Sequence, residues 1–148
     1  PVDAQMAAAL STQEHGSELV DNLQRGLRAH VLGLNPALVS AVANDIRVSG
    51  IGYAQELYAL ARPGDVLLGI STSGKAMNVR LAAETAESMG LLTIGLTGKG
   101  PNPLAELVDI PICVPETETY RVQELHIVIY HQLCLMLEAA FFEASYER

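Results

Sequence analysis

The sequence predicts an α/β fold, a three-layer sandwich with a central parallel sheet. Short apolar runs alternate with longer stretches rich in helix formers; the runs are "DVLLGIS" at 65–71, "LLTIGLTG" at 91–98 and "IPICVP" at 110–115. Unbroken apolar runs are typical of strands buried on both faces, and their alternation with helices is typical of parallel sheets covered on both sides. The 148 residues have the length of one domain.

Each remaining segment can be assigned from its start and stop signals. The first 26 residues are rich in helix formers and predict one helix, or two broken near Ser11 or Gly16. The run "AHVLGL" at 29–34 predicts a further strand. Asn35 and Pro36 then open a helix, with Asn as the cap and Pro in the first turn. The other predicted helices cover 50–62, 75–90, 103–109 and 118–147.

Composition excludes several functional classes. The net charge is −8 and the nine Lys and Arg residues are scattered, so no basic stripe predicts a nucleic-acid partner. No run reaches about 18 uninterrupted apolar residues, so we expect no membrane partner, and no secretory signal is recognisable. We therefore expect a cytoplasmic protein. Cys113 and Cys134 lack metal-type spacing and predict two buried thiols in a reducing compartment.

The stretch "GISTSGKAMNV" at 69–79 carries the strongest functional signal. Ligands of open α/β sheets bind outside the carboxyl ends of the strands, where a following helix also points its free N–H groups. Ser71, Thr72 and Ser73 can add hydroxyl donors, and Gly74 allows close approach of the backbone. Together they predict a phosphate-binding site whose donors carry no charge. The alternative is that the hydroxyls merely cap the helix, and Lys75 either attracts the anion or is solvated.

This stretch is neither of the common nucleotide loops. It contains no GxxxxGK[ST] pattern, and no GxGxxG follows a strand. Hydrolysis of a nucleotide is therefore not the function that the sequence predicts.

Four segments together carry a resemblance to a known family. "GDVLLGISTSGKAMNV" resembles the phosphosugar-binding signature of the SIS (sugar isomerase) domain family, and "LLTIGLTGKGPNPLAELVDIPICVP" resembles the segment that follows it there. "RVQELHIVIYHQLCLMLE" is similar to the closing helix of the phosphoheptose isomerase branch, and "VANDI" also resembles that branch. The match covers roughly residues 31 to 143 and lies in order and spacing as well as in single motifs.

The resemblance implies a flavodoxin-like SIS domain that binds a sugar phosphate. It implies a homodimer or homotetramer with sites between subunits, and interconversion of aldose and ketose phosphates of the sedoheptulose 7-phosphate type. His131 then corresponds to the family's catalytic histidine. The resemblance implies that no cofactor is required. It allows a zinc ion, which Gln123 and His131 would hold. The substrate-binding residues it implies are Ser71, Thr72, Ser73, Gly74, Asn44, Asp45 and Gln123.

The N-terminal segment departs from the family pattern. The family's preceding strand and glycine-rich loop are missing, so we expect residues 1–148 to form a single SIS domain that is incomplete at its N-terminus. "VDAQMAAAL" fits the next family helix with Met6 in place of its histidine and Ala9 or Leu10 near its catalytic glutamate. In an alternative register Glu18 is the catalytic acid, and Glu14, four residues earlier, shares a helical face with it. The two glutamates could as easily form an acidic stripe that is exposed to solvent.

Two functions therefore remain open from sequence. One is a sugar-phosphate isomerase that uses His131 and Glu18; the other is a non-catalytic phosphosugar-binding module that regulates assembly. His126 is expected to be structural. Within the signature, Ala76 occupies a position where the family often has another serine, and Tyr120 brings unusual bulk near the sugar pocket.

Overall fold

A computed structural model of the chain describes residues 2–142. These residues fall into two compact units, divided between Val31 and Leu32. The first unit contains helices α1 (Ala4–Leu10) and α2 (Gly16–Asn22). Asp3 caps α1 by accepting the N–H of Met6 at 2.8 Å. Gly16 packs directly against the backbone oxygen of Leu10, where a side chain would overlap it. The N-terminal segment is therefore two helices, with the break at residues 11–15.

The second unit contains a parallel sheet of three strands in the order β1-β2-β3. In register, Gly69 pairs with Gly95 and Ser71 pairs with Thr97, so that β1 and β2 end together. Its elements in chain order are α3 (Pro36–Asp45), α4 (Gly52–Leu60), β1 (Val66–Ser71), α5 (Met77–Ser88), β2 (Leu92–Thr97), α6 (Pro103–Leu107), β3 (Ile110–Cys113) and α7 (Thr119–Phe142). These elements confirm the predicted α/β fold and its parallel sheet. The predicted continuation of the last helix over residues 143–147 lies outside the described residues.

One face of the sheet is closely packed by α5 and α6. A side-chain carbon on Gly69 would lie 3.0 Å from Val79, and one on Gly95 would lie 2.9 Å from Val108. The two glycines therefore let the helical layer approach the strands. The core beneath consists of small and branched apolar residues, namely Leu57, Leu67, Ala82, Ala83, Ala86, Leu91, Leu104 and Val108.

The opposite face is only partly covered. Val66, Leu68 and Ile70 of β1 are between 40% and 53% exposed. The long helix α7 contacts β2 and buries Val122 and His126, but most of its other side chains are exposed. By length and composition α7 is the one helix among residues 2–142 that can cross a membrane, a criterion that core helices of soluble proteins also meet.

The expectations for the segment 29–34 and for the burial of the two cysteines are wrong. "AHVLGL" forms no strand, because Gly33 adopts a φ of +87° and its N–H donates to the buried Glu56 carboxylate at 2.7 Å instead of to a neighbouring strand. Cys113 and Cys134 are free, as expected, but exposed. Cys113 lies on the edge strand β3, and Cys134 lies on the exposed part of α7.

A hydrogen-bonded pair connects the start of β2 to the start of β3. The Asp109 carboxylate accepts the hydroxyl of the buried Thr93 at 2.7 Å and its N–H at 2.8 Å, and the Thr93 hydroxyl accepts the N–H of Asp109 at 2.9 Å. The Thr93 hydroxyl, and after it the Thr93 N–H, hold the pKa of Asp109 below its ordinary value. The charged carboxylate is thus the form that the fold favours.

Replacement of this carboxylate should change how stability depends on pH. A lowered folded-state pKa stabilises the fold above the unfolded pKa of about 3.9, and this contribution is lost as the pH falls through the folded value. We expect Asp109→Asn to lose less of its unfolding free energy than the wild type between about pH 5 and pH 2.5. Urea unfolding across that range measures the slope. Glu87→Gln, at an exposed position of α5, is the control and should follow the wild type. A slope for Asp109→Asn equal to that of the wild type would contradict the assignment.

Candidate anion-binding site

The end of β1 forms a tight turn that leads into α5. Ser71 is buried, Thr72 is half-buried and Ser73 is exposed. Gly74 has a φ of +64°, a conformation that favours glycine, and its N–H donates to the Ser71 carbonyl at 3.1 Å. The N–H of Lys75 donates to the Ser73 hydroxyl at 3.2 Å. We call residues 71–74 the STSG turn; the structure brings these four predicted residues together at the carboxyl end of the sheet.

Helix α5 presents an uncapped N-terminus beside this turn. Ala76 is its N-cap residue and has no side chain that can cap. The first helical hydrogen bond runs from the Arg80 N–H to the Ala76 carbonyl, so the N–H groups of residues 77–79 have no acceptor within the helix. Within residues 2–142, the hydroxyls of Ser71 and Thr72 also make no hydrogen bond. The unbonded donors and the helix dipole are typical of an anion site.

The STSG turn is held at both ends by neighbouring backbone. The N–H of Gly98, just after β2, donates to the Thr72 carbonyl at 3.0 Å. The N–H of Leu104 in α6 donates to the Gly74 carbonyl at 3.0 Å. The shape of the turn therefore depends on the ends of β2 and α6 as well as on its own sequence.

Two residues that support this turn, Asn102 and Thr97, are not predicted from the sequence. Asn102 is 7% exposed; its Oδ1 caps α6 at the N–H of Ala105, and its Nδ2 donates to the hydroxyl of the fully buried Thr97 at 3.0 Å. A signal for the cap was present, because Asn102 precedes a proline just as Asn35 does at the start of α3, where Asn35 caps as predicted. No sequence signal indicated the contact with Thr97.

Two lysines and one arginine with described surroundings follow the strand ends at this edge of the sheet. Lys75 and Lys99 are both exposed and follow the ends of β1 and β2. Arg121 forms a surface ion pair with Glu116 at 3.9 Å, and its Nε donates to the Tyr120 hydroxyl at 3.0 Å. The ion pair and the hydrogen bond place Arg121 at the surface, beside Tyr120.

The α7 residues point in different directions. Val122 is fully buried and lies against Gly98, and His126 is 3% exposed, with an Nε2 atom that has no hydrogen-bond partner in the described residues. Gln123 and His131 are exposed, and the His131 ring meets the Tyr130 ring edge to face at 5.1 Å. At 3.6 residues per turn, His131 lies about 180° around α7 from Val122, so it faces away from its own sheet.

The remaining predicted residues lie elsewhere. Asn44 and Asp45 are exposed at the end of α3, in a segment that leads to Gly50, which packs against Asn78 in α5. Glu18 is exposed in α2 of the first unit, with its carboxylate 3.6 Å from His15. Glu14 lies in the turn before α2, so the expectation that it shares a helical face with Glu18 is wrong.

The donor set at Gln123 and His131 does not complete a zinc site by itself. Zinc in proteins is usually held by three or four N, S or O ligands. Among residues 2–142, no three His, Cys, Asp or Glu side chains group closely enough to hold a metal ion. Zinc at Gln123 and His131 would need ligands from outside this set.

An open α/β sheet with an uncharged donor turn at a strand end defines a phosphate-binding domain. The profile of the SIS domain family matches residues 43–142. The phosphoheptose isomerase of Crocosphaera subtropica is 42% identical over 138 residues, which are 91% of this chain and 70% of that protein. The one from Geotalea daltonii is 44% identical over 138 residues, 91% of this chain and 71% of that protein.

Solved structures agree with these sequence matches. A phosphoheptose isomerase from Francisella tularensis superposes with a TM-score of 0.71 at 28% identity, covering 92% of this chain and 72% of that one. The one from Neisseria gonorrhoeae has a TM-score of 0.69 at 31% identity, with 90% and 72% covered. The chain belongs to the SIS domain family, in its phosphoheptose isomerase branch.

The conformation of Gly74 generates a stability prediction with a matched control. An added side chain at Gly74 would overlap the Asn102 side chain, whereas Gly90, with a φ of +71°, has nothing within 4 Å. Gly90→Ala should therefore cost only the backbone strain, about 1 kcal/mol of unfolding free energy. Gly74→Ala should cost more than about 2 kcal/mol, because steric overlap adds to the same strain. Urea unfolding measures both, and equal costs would refute the packing of Gly74 against Asn102.

Proposed function

We propose that this protein is a sugar-phosphate isomerase of the sedoheptulose 7-phosphate type and that the STSG turn binds the phosphate. The observation that carries the proposal is the turn itself, where hydroxyl residues, a positive-φ glycine and the uncapped start of a helix follow one another at a strand end. Relatives named phosphoheptose isomerase at 42% and 44% identity support the choice of reaction. An uncharged site of this kind suits a dianionic phosphate ester, because backbone N–H groups and the dipole of a helix N-terminus can bind an anion without a charged side chain.

The reaction is redox-neutral and needs only proton transfers. A base removes a proton from C1 of the open-chain ketose to give an enediolate, and a proton returned to C2, with one moved between the two oxygens, yields the aldose. His131 is the group that we assign to this transfer, because imidazole is the most common general acid–base side chain. Glu18 is the proposed second acid–base group, and Asn44, Asp45 and Gln123 are proposed to bind the sugar. These proton transfers need no cofactor. Gln123 and His131 are the residues that we propose as ligands for any zinc ion.

The position of His131 favours a site shared between copies of the chain. It faces away from the sheet that carries its own STSG turn, on the exposed side of α7. A phosphate on one copy can therefore meet His131 of a second copy more directly than its own. We accordingly propose a homodimer or homotetramer. Separately, we propose that the protein is cytoplasmic.

A non-catalytic phosphosugar-binding module is the second candidate. Met6 occupies the position of the family's histidine, and Ala9 or Leu10 lies near the position of its glutamate, which favours this alternative. Both candidates share the STSG turn and differ only in turnover. Incubation with sedoheptulose 7-phosphate separates them: binding with product formation selects the isomerase, and binding without it selects the module.

Removal of the His131 side chain tests the catalytic assignment. His131→Ala should abolish isomerisation of sedoheptulose 7-phosphate, while the dissociation constant by calorimetry stays within about threefold of wild type, because the phosphate contacts lie elsewhere. Gln132→Ala, the exposed neighbour on α7, is the control and should retain turnover. Unchanged turnover in His131→Ala would remove this residue from the mechanism.

A gain of affinity tests the phosphate site. Ala76→Ser places a hydroxyl at the N-cap of α5, where the extended backbone (φ −60°, ψ 115°) suits a capping residue. We expect the unfolding free energy to rise by about 0.5–1 kcal/mol, because the serine oxygen accepts one N–H of α5. The affinity for sedoheptulose 7-phosphate should rise several-fold, about 1 kcal/mol, because the serine O–H then donates to the phosphate beside the N–H groups of α5 that remain free. Calorimetry and urea unfolding measure the two effects separately. Greater stability with unchanged affinity would argue that the phosphate does not lie at α5.

The exposed apolar side of α7 generates a prediction about association. Val128 is 67% exposed, and Leu135, Met136 and Leu137 are also exposed along the same helix. Sedimentation at micromolar concentration should yield a dimer or larger species, and Val128→Glu should shift it toward monomer because it buries a charge at the contact. Ser40→Glu on α3 should leave the assembly intact. A wild-type monomer would contradict the proposed shared site.

A further inference from the structure

The side chain of Asn102 uses both ends of its amide. Oδ1 accepts the N–H of Ala105 at 3.0 Å and so caps α6, while Nδ2 donates to the Thr97 hydroxyl at 3.0 Å. The residue is only 7% exposed. A cap alone needs a single acceptor, which serine or aspartate supplies equally well. The second hydrogen bond and the burial therefore call for a separate explanation.

The same side chain forms the wall behind the STSG turn. Gly74 lies so close to Oδ1 and Cγ of Asn102 that a side chain on Gly74 would overlap them. Two residues further along, the N–H of Leu104 donates to the Gly74 carbonyl at 3.0 Å. Asn102 and the start of α6 thus fix the last residue of the turn, just before the uncapped N-terminus of α5.

A second connection leads from Asn102 to the beginning of the turn. The Thr97 hydroxyl that Asn102 contacts lies 3.0 Å from the Gly98 carbonyl oxygen. The N–H of Gly98 in turn donates to the Thr72 carbonyl at 3.0 Å. Through Thr97 and Gly98, the amide of Asn102 is therefore linked to the turn at Thr72 as well as at Gly74.

We propose that Asn102 is a positioning residue for phosphate binding, acting through Gly74 and Thr97 on the STSG turn. The inference rests on the proposed function, because it assigns Asn102 to the same site. The neutral amide satisfies Thr97 and α6 without placing a charge behind the anion. A carboxylate of the same shape would cap α6 but would repel a phosphate dianion across the thickness of one backbone segment.

The test is the affinity for sedoheptulose 7-phosphate of Asn102→Asp, measured by calorimetry beside urea unfolding. The variant keeps an acceptor for the Ala105 N–H, loses the donor to Thr97 and gains a charge. We expect the dissociation constant to rise about tenfold at low salt. The ratio to wild type should shrink as salt increases, because screening weakens a charge effect but not a purely structural one. Asn35→Asp is the matched control, since Asn35 also caps a helix ahead of a proline, and its dissociation constant should equal the wild-type value.

Asn102→Ser extends the test in case the aspartate variant does not fold. Serine can still cap α6, but it removes the wall against Gly74 without adding charge. We expect the dissociation constant to rise several-fold and KM to rise more than kcat falls, because the turn is displaced while His131 is untouched. Folded Asn102 variants that bind as tightly as Asn35→Asp would overturn the inference alone. Failure of the wild type to bind either sedoheptulose 7-phosphate or inorganic phosphate would overturn the proposed function and this inference together.

Discussion

The turn between β1 and α5 exists in its present form because Gly74 adopts a positive φ directly against a buried side chain. Only a residue without a side chain can reverse the chain there while its backbone touches Asn102. After this reversal the chain enters the uncapped N-terminus of α5, so the hydroxyl residues of the STSG turn and the first N–H groups of the helix lie within a few residues of one another. The register of the sheet adds the second condition, since β1 and β2 end together at Ser71 and Thr97 and bring Gly98 within hydrogen-bonding distance of Thr72.

A neutral anion site is consistent with the charge of the molecule. With a net charge of −8, the chain offers little long-range attraction to a sugar phosphate. Binding must therefore depend on short-range donors that are already in place before the ligand arrives, because such donors cost little reorganisation on binding. The hydrogen bonds that fix the STSG turn at Thr72 and Gly74 supply that preorganisation, and the exposed Lys75 and Lys99 can add only a screened attraction.

Sequence alone predicted those parts of the fold that depend on local patterns. The three apolar runs, the Asn35 cap and the glycines after α5 and in the STSG turn each carry their signal within a few residues, and the structure places them as expected. "AHVLGL" failed because its fate depends on Glu56, a distant residue whose carboxylate binds Gly33. Asn102 was missed for the same reason: its contacts with Thr97 and Gly74 are fixed only when β1, β2 and α6 come together.

The direction of α7 connects the chemistry to the exposed apolar surface. Val122 and His126 are buried in the first turns of this helix, which contacts β2, and the opposite side, including His131, faces outward. A helix is about 10 Å thick with its side chains, too much for an imidazole on the far side to reach a ligand at its own sheet edge. The same outward side carries Val128 and Leu135, which are costly to leave in water. Association through α7 would cover these side chains and bring His131 to a second copy's STSG turn, so one surface would serve both stability and catalysis.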